Sequence, residues 1–171
     1  VDGAVSDGIL NDYKIVVHML KLGTIKNMMA GGKTKKWPTS ELESYSYWCD
    51  RIDKSVFPQE TMMLRIQRMK AMMGFPSKEA YAKKLFDNIG DKCILFANTQ
   101  DQADKLCRHS YHSENPDSED NLLKFKAGII NKLSAVLQLN EGVNIPELRQ
   151  GIIMHAYGNE RKSSQRIGRL L

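Results

Sequence analysis

Two rhythms of apolar and polar residues divide this chain near residue 92. Downstream, short apolar runs alternate with polar stretches of helix length, the pattern of βα units around a parallel sheet. Cys93-Ile94-Leu95-Phe96-Ala97 is apolar at every position, which predicts a strand buried on both faces. Asn98-Thr99-Gln100 then turns into a helix with Ala103, Leu106 and Cys107 on one side, and Thr99 and Gln102 have capping-box spacing. A short strand over 109–112, an exposed loop over 113–117 around Asn115-Pro116, and a helix over 118–126 stopping at Gly128 follow. Further strands are predicted at 133–137 and 151–156, with a last helix after Asn159. The predicted class is α/β.

Upstream, the pattern predicts a strand over 13–20, a basic hairpin turn around Gly31-Gly32, and helices over 40–54, 58–73 and 77–89. Ser40 with Glu43, Pro58, and Ser77 ahead of Lys78-Glu79 are their start signals. Met62, Met63, Met69, Met72 and Met73 crowd the middle helix and read as an adaptable core face. No internal repeat or low-complexity tract is present.

Composition narrows the class. With 171 residues, 42% of them hydrophobic, the chain can bury one core and carry an extension. Lys and Arg number 25 against 20 acidic residues, a formal charge of +5 that suits a polyanionic partner. Cys49, Cys93 and Cys107 are odd in number and widely spaced, so neither a disulfide framework nor a four-cysteine zinc site is indicated, and a reducing cytoplasm is expected. No apolar run reaches the roughly 18 residues of a membrane span, and no signal-peptide pattern opens the chain, so a soluble intracellular protein is expected.

Gly31-Gly32-Lys33-Thr34 has the residue types of a phosphate-cradling loop, but Asn27 stands where its first glycine belongs and Trp37-Pro38 interrupts any following helix. Cys107, His109 and His112 lack a fourth ligand and a recognisable metal spacing, and no metal is expected. No glycine-flanked nucleophile elbow occurs. Residues 139–146 follow a buried strand at its carboxyl end, where open α/β sheets hold ligands, and Gly142 permits close backbone approach there. A plain connection closed by Pro146 fits the same residues.

The order of segments points to a family. Gln165-Arg166-Ile167-Gly168-Arg169 resembles motif VI of the superfamily-two DEAD/DEAH-like helicases, Asn140-Glu141-Gly142-Val143-Asn144-Ile145-Pro146 resembles motif V, and Ile94-Leu95-Phe96-Ala97-Asn98-Thr99 resembles motif IV. Phe125-Lys126-Ala127-Gly128 is similar to a phenylalanine-and-glycine segment common in that family. The resemblance covers residues 92–171, and residues 8–20 loosely.

The resemblance implies a RecA-like parallel sheet flanked by helices, with an N-terminal helical extension. It divides the chain into a linker and first strand (1–20), a hairpin and helical spacer (21–91), and the second motor domain of a two-domain ATPase (92–171). Arg169 would be the arginine finger, Gln165 would orient the attacking water or the γ-phosphate, and Arg166 would hold the interface. Glu141, Gly142, Asn144 and Gly168 would lie along the nucleotide cleft. Asn98 and Thr99 would meet nucleic-acid phosphates, with Ser134 standing in for a family threonine whose nearest equivalents here are Val136 or Leu137. ATP and Mg2+ would be held mainly by an N-terminal RecA-like domain of the same parent protein. The other partner is nucleic acid, DNA rather than RNA, and no membrane is involved. The alternatives are a non-motor nucleic-acid-binding module on a RecA-like scaffold, and a nucleotide-binding enzyme built on Gly32-Lys33-Thr34.

Overall fold

A computed structural model describes residues 14–32, 34–136 and 145–154. The chain divides into two compact units, residues 19–81 and residues 1–18 with 82–171. The first holds an antiparallel hairpin, β1 (Met28–Gly31) and β2 (Lys36–Thr39), then α1 (Glu41–Asp53), α2 (Pro58–Met73) and the first residues of α3 (Pro76–Asn88). Gly31 closes the hairpin at φ 112°, and a Cβ there would lie 2.1 Å from the Lys35 carbonyl, so only glycine fits. Gly31-Gly32 therefore sits in a turn between antiparallel strands, not in a loop that opens a helix.

α1 starts on a full capping box: Ser40 Oγ accepts from Glu43 N–H at 3.1 Å and Glu43 Oε2 accepts from Ser40 N–H at 3.1 Å. Next to it, the Glu41 side chain ties three segments of this unit together. The residue is 1% exposed, and its carboxylate accepts from Gly23 N–H at 2.7 Å, Ser77 N–H at 2.7 Å and Ser77 Oγ at 2.8 Å. Burial pushes its pKa up, but the amides of Gly23 and Ser77, the Ser77 hydroxyl and the Lys78 charge outweigh burial and hold it below the usual carboxylate value. A lowered folded-state pKa stabilises above the unfolded value of 4.5, and the contribution is lost as pH falls through the folded pKa. Glu41→Gln is expected to cost about 1–3 kcal/mol at neutral pH, since an amide NH2 then faces other donors. Urea unfolding at neutral and acidic pH checks this, and an equal cost at both would contradict it.

The structure corrects three sequence expectations in this region. Residues 14–20 form no strand: no ladder pairs them with another strand among the described residues, and Val17 and Met19 are 80% and 93% exposed. An apolar run becomes a strand only where a ladder partner exists; Tyr13 lies outside the described residues. Ser77 does not precede its helix, because α3 begins one residue earlier at Pro76 and Ser77 spends its amide and hydroxyl on Glu41. The methionine face of α2 is only partly core. Met62 and Met63 are 65% and 57% exposed, Met69, Met72 and Met73 are half-buried, and Leu64 is the buried residue. α2 packs chiefly on α1, and one neighbouring helix covers a single stripe.

The second unit is a three-layer α/β arrangement. β3 (Cys93–Ala97), α4 (Gln100–Leu106), β4 (Ser110–Tyr111), α5 (Ser118–Lys126), β5 (Lys132–Val136) and β6 (Gln150–Ile153) form a parallel sheet in the order β4-β5-β3-β6 with helices against it. β3 lies inside, with Leu95 opposite Ser134 of β5 and Ile152 of β6. All five of its residues are buried and they alternate between two cores. Cys93, Leu95 and Ala97 join Ala82 and Phe86 of α3 and Ala103 and Leu106 of α4. Ile94 and Phe96 join Leu122 and Phe125 of α5 and Leu133 and Ala135 of β5. Core packing thus begins in α3, ahead of Lys92.

Side chains close the outer edge of β4. The Ser110 carbonyl accepts from Asn115 Nδ2 and Asn121 Nδ2, each at 3.0 Å, while Ser118 Oγ accepts from His112 N–H at 3.0 Å and donates to the His112 carbonyl at 2.6 Å. Backbone groups that would otherwise template another strand are satisfied locally.

Candidate functional site

Ligands of an open parallel sheet gather beyond the carboxyl ends of its strands. There β3 delivers Asn98 and Thr99. Thr99, extended at φ −134° and ψ 160°, is the N-cap of α4, and its Oγ1 accepts from Gln102 N–H at 3.2 Å. The expected capping box closes one residue further back: Gln102 Oε1 accepts from Asn98 N–H at 3.0 Å and from Asn98 Nδ2 at 3.1 Å. Gln102 is 4% exposed, so it acts as a buried brace for the turn. Asn98 is half-buried and turned inward on it, with Oδ1 buried and unpartnered among the described residues, whereas Thr99 is exposed. The Thr99 hydroxyl proton remains free to face a phosphate oxygen; the Asn98 donors are largely committed to the brace.

Ser134 corrects an expectation. It is fully buried, and its hydroxyl donates to the Ala103 carbonyl at 2.8 Å, with the His109 carbonyl at 3.4 Å. It locks β5 to α4 and offers no surface for a phosphate. In a strand with period 2, Ser134 faces the helix layer between Leu133 and Ala135, which face the opposite core.

The ends of β3 and β4 are joined through Gln100, whose amide lies 3.0 Å from Ser113 Oγ and, in the orientation that satisfies both its ends, 3.0 Å from the Glu114 carboxylate. Below them an open polar groove of about 680 Å³ is lined by Gln100, Asp104, Arg108, His112, Glu114 and Asn115, among others. Asp104 Oδ1 accepts from Ser110 Oγ at 2.5 Å and meets His112 Nε2 at 2.8 Å, and these two bonds hold its carboxyl below the ordinary range. Ser110, His112 and Asp104 are the residue types of a hydrolase triad in the wrong order. The hydroxyl donates to the carboxylate, no base faces it, and Ser110 is 2% exposed. No periodicity in the sequence singles out Asp104; only the meeting of α4 with β4 does, whereas the spacing of Thr99 and Gln102 already marks the braced turn.

The metal candidates go to different partners. Cys107 Sγ contacts the Lys132 carbonyl at 3.8 Å, His109 Nδ1 meets Asn121 Oδ1 at 3.2 Å, and His112 meets Asp104. Among the described residues, no group of three or more His, Cys, Asp or Glu side chains converges, and no helix is long and apolar enough to cross a membrane. Burial pushes the Cys93 thiol up to about 12 and raises Cys107 as well, so neither is a thiolate at neutral pH. Glu141, Gly142, Asn144, Gln165, Arg166, Gly168 and Arg169 lie outside the described residues.

This is an α/β domain with a parallel sheet and a braced polar turn at its carboxyl edge. Residues 77–171 match the model of the helicase conserved C-terminal domain, more than half of the chain, and the chain belongs to that family. It is similar to the DNA 3'-5' translocase XPB2 of Sulfurisphaera tokodaii, 29% identical over 87 residues that make up 47% of this chain and 20% of that protein. Among solved structures it is similar to the Hef helicase domain of Pyrococcus furiosus, at 19% identity and a TM-score of 0.39, covering 73% of this chain and 31% of that one. The chain therefore spans about a fifth of its curated relative.

Proposed function

We propose that this chain is the second motor domain of an ATP-dependent nucleic-acid helicase or translocase acting on DNA. The observation that carries this reading is the single family match across residues 77–171, which spans, in order, the segments around Asn98-Thr99, Glu141-Gly142 and Gln165-Arg169. Bound ATP supplies the phosphoryl group whose hydrolysis drives the cycle. Arg169 faces the charge that develops on it, Gln165 orients the attacking water, and Arg166 holds the interface with the first motor domain. Glu141, Gly142, Asn144 and Gly168 would couple the nucleotide to the nucleic-acid track.

On the nucleic-acid side, Thr99 contributes a hydroxyl to the phosphate backbone while Asn98 and Gln102 hold its turn. Contacts of this kind position the strand without reading sequence, and they weaken with salt. Gly31-Gly32 closes a hairpin, so the described residues offer no phosphate cradle of their own. In this reading ATP and Mg2+ are assigned to a first motor domain of the parent protein, and this chain alone is expected neither to bind nor to hydrolyse ATP.

The test is ATP hydrolysis by the full-length parent with single-stranded DNA, duplex DNA and RNA at one fixed salt concentration. Stimulation, greatest with DNA, is expected. A rate indifferent to every polymer would remove the motor reading and leave a binding module on the same scaffold.

A further inference from the structure

The chain's formal charge of +5 comes from one place. Between residues 19 and 40 stand five lysines, Lys21, Lys26, Lys33, Lys35 and Lys36, with no Asp or Glu, and the rest of the chain carries equal numbers of basic and acidic side chains. This basic stretch contains the β1–β2 hairpin. By contrast, the groove beside β4 sets Asp101, Asp104, Glu114, Asp117 and Asp120 against Arg108 and Lys124, a net negative lining that disfavours a polyanion.

Trp37 sits in that hairpin, paired with Ala30 across the strands. Its Cζ3 lies 2.8 Å from where a Cβ on Gly31 would be, so the indole packs against the bare glycine backbone and is held there. It remains 48% exposed. The two residues before it, Lys35 and Lys36, are exposed and make no ion pair among the described residues, unlike Lys26, which meets Glu43 at 3.0 Å. An anchored, half-open indole beside free cations is the arrangement on which unpaired bases stack while phosphates are neutralised.

We propose that the β1–β2 hairpin is a contact site for single-stranded nucleic acid, with a base stacked on Trp37 and neighbouring phosphates met by Lys35 and Lys36. The site goes beyond the motor reading, because it requires neither ATP nor the residues around Arg169. Stacking tolerates any base, so the contact is independent of sequence and favours unpaired over duplex strands.

The test uses the whole chain and the fluorescence anisotropy of labelled oligothymidylate, oligouridylate and a duplex of equal length, across a salt series. Single strands are expected to bind more tightly than the duplex. Trp37→Ala is expected to weaken single-strand binding by about 5- to 100-fold, and Trp37→Phe, which keeps an aromatic face, far less. The double variant Lys35→Gln with Lys36→Gln leaves the indole and its glycine seat in place. It is expected to reduce the slope of log affinity against log salt by about 0.7 for each lysine that meets a phosphate. Wild-type affinity in Trp37→Ala, equal weakening in Trp37→Ala and Trp37→Phe, an unchanged salt slope in the lysine variant, or preference for the duplex would each overturn the proposal. ATP hydrolysis by the parent does not bear on these outcomes, so the two readings fail separately.

Discussion

Arg169→Ala in the full-length parent is expected to lower nucleic-acid-stimulated ATP hydrolysis by about three to five powers of ten while nucleotide affinity persists. A guanidinium is permanently charged and planar, and it stabilises phosphoryl charge that grows only as the reaction proceeds. Its removal should therefore reduce kcat and leave ground-state binding, which the proposed function assigns to a first motor domain, nearly intact. Arg169→Lys should recover little, since an ammonium lacks the planar fork and reaches a different point. Gly168 beside it carries no Cβ that would stand in the way of a closely approaching surface. Single-turnover hydrolysis together with nucleotide binding measures both quantities. A variant that hydrolyses ATP at the parental rate would remove the finger role from Arg169.

The largest expected effect on stability comes from Phe86→Ala. Phe86 is 1% exposed, on the part of α3 that packs against Cys93, Leu95 and Ala97 of β3. Lys132 of β5 lies over its ring, 5.3 Å from the centroid, and donates to the Phe86 carbonyl and, at 2.9 Å, to that of Asp87, fastening the end of α3 to the sheet. Truncating a buried phenylalanine costs about 3–5 kcal/mol, from lost transfer energy and the cavity left behind. A loss of that size takes much of the roughly 5–15 kcal/mol that holds a domain folded. The matching change at the 69% exposed Phe57 should stay within about 0.5 kcal/mol. Urea midpoints followed by circular dichroism compare the two, and similar midpoints would show that α3 is not part of the core.

β3 was legible from its residues because a strand covered on both faces needs an apolar side chain at every position, and Cys93 to Ala97 meets that condition. α1 was legible because Ser40 and Glu43 satisfy each other locally, whatever surrounds them. The run over 14–20 looked equally strand-like, yet no ladder pairs with it among the described residues. The same limit governs side-chain roles. Ser134 and Thr99 carry the same hydroxyl chemistry, and only the packing of α4 on β5 buries one of them and leaves the other open.

Taken alone, then, the order of residues determined the α/β class, the succession of helicase-like segments and the position of the basic hairpin turn. These rest on periodicity, capping and turn chemistry, which act over a few neighbouring residues. Tertiary structure alone decided that Glu41 joins Gly23 to Ser77, that Ser134 is buried, and that the core begins at α3. Each of these depends on groups far apart in the chain meeting across a packed surface, where burial and hydrogen bonding together assign the role. No local pattern encodes that meeting.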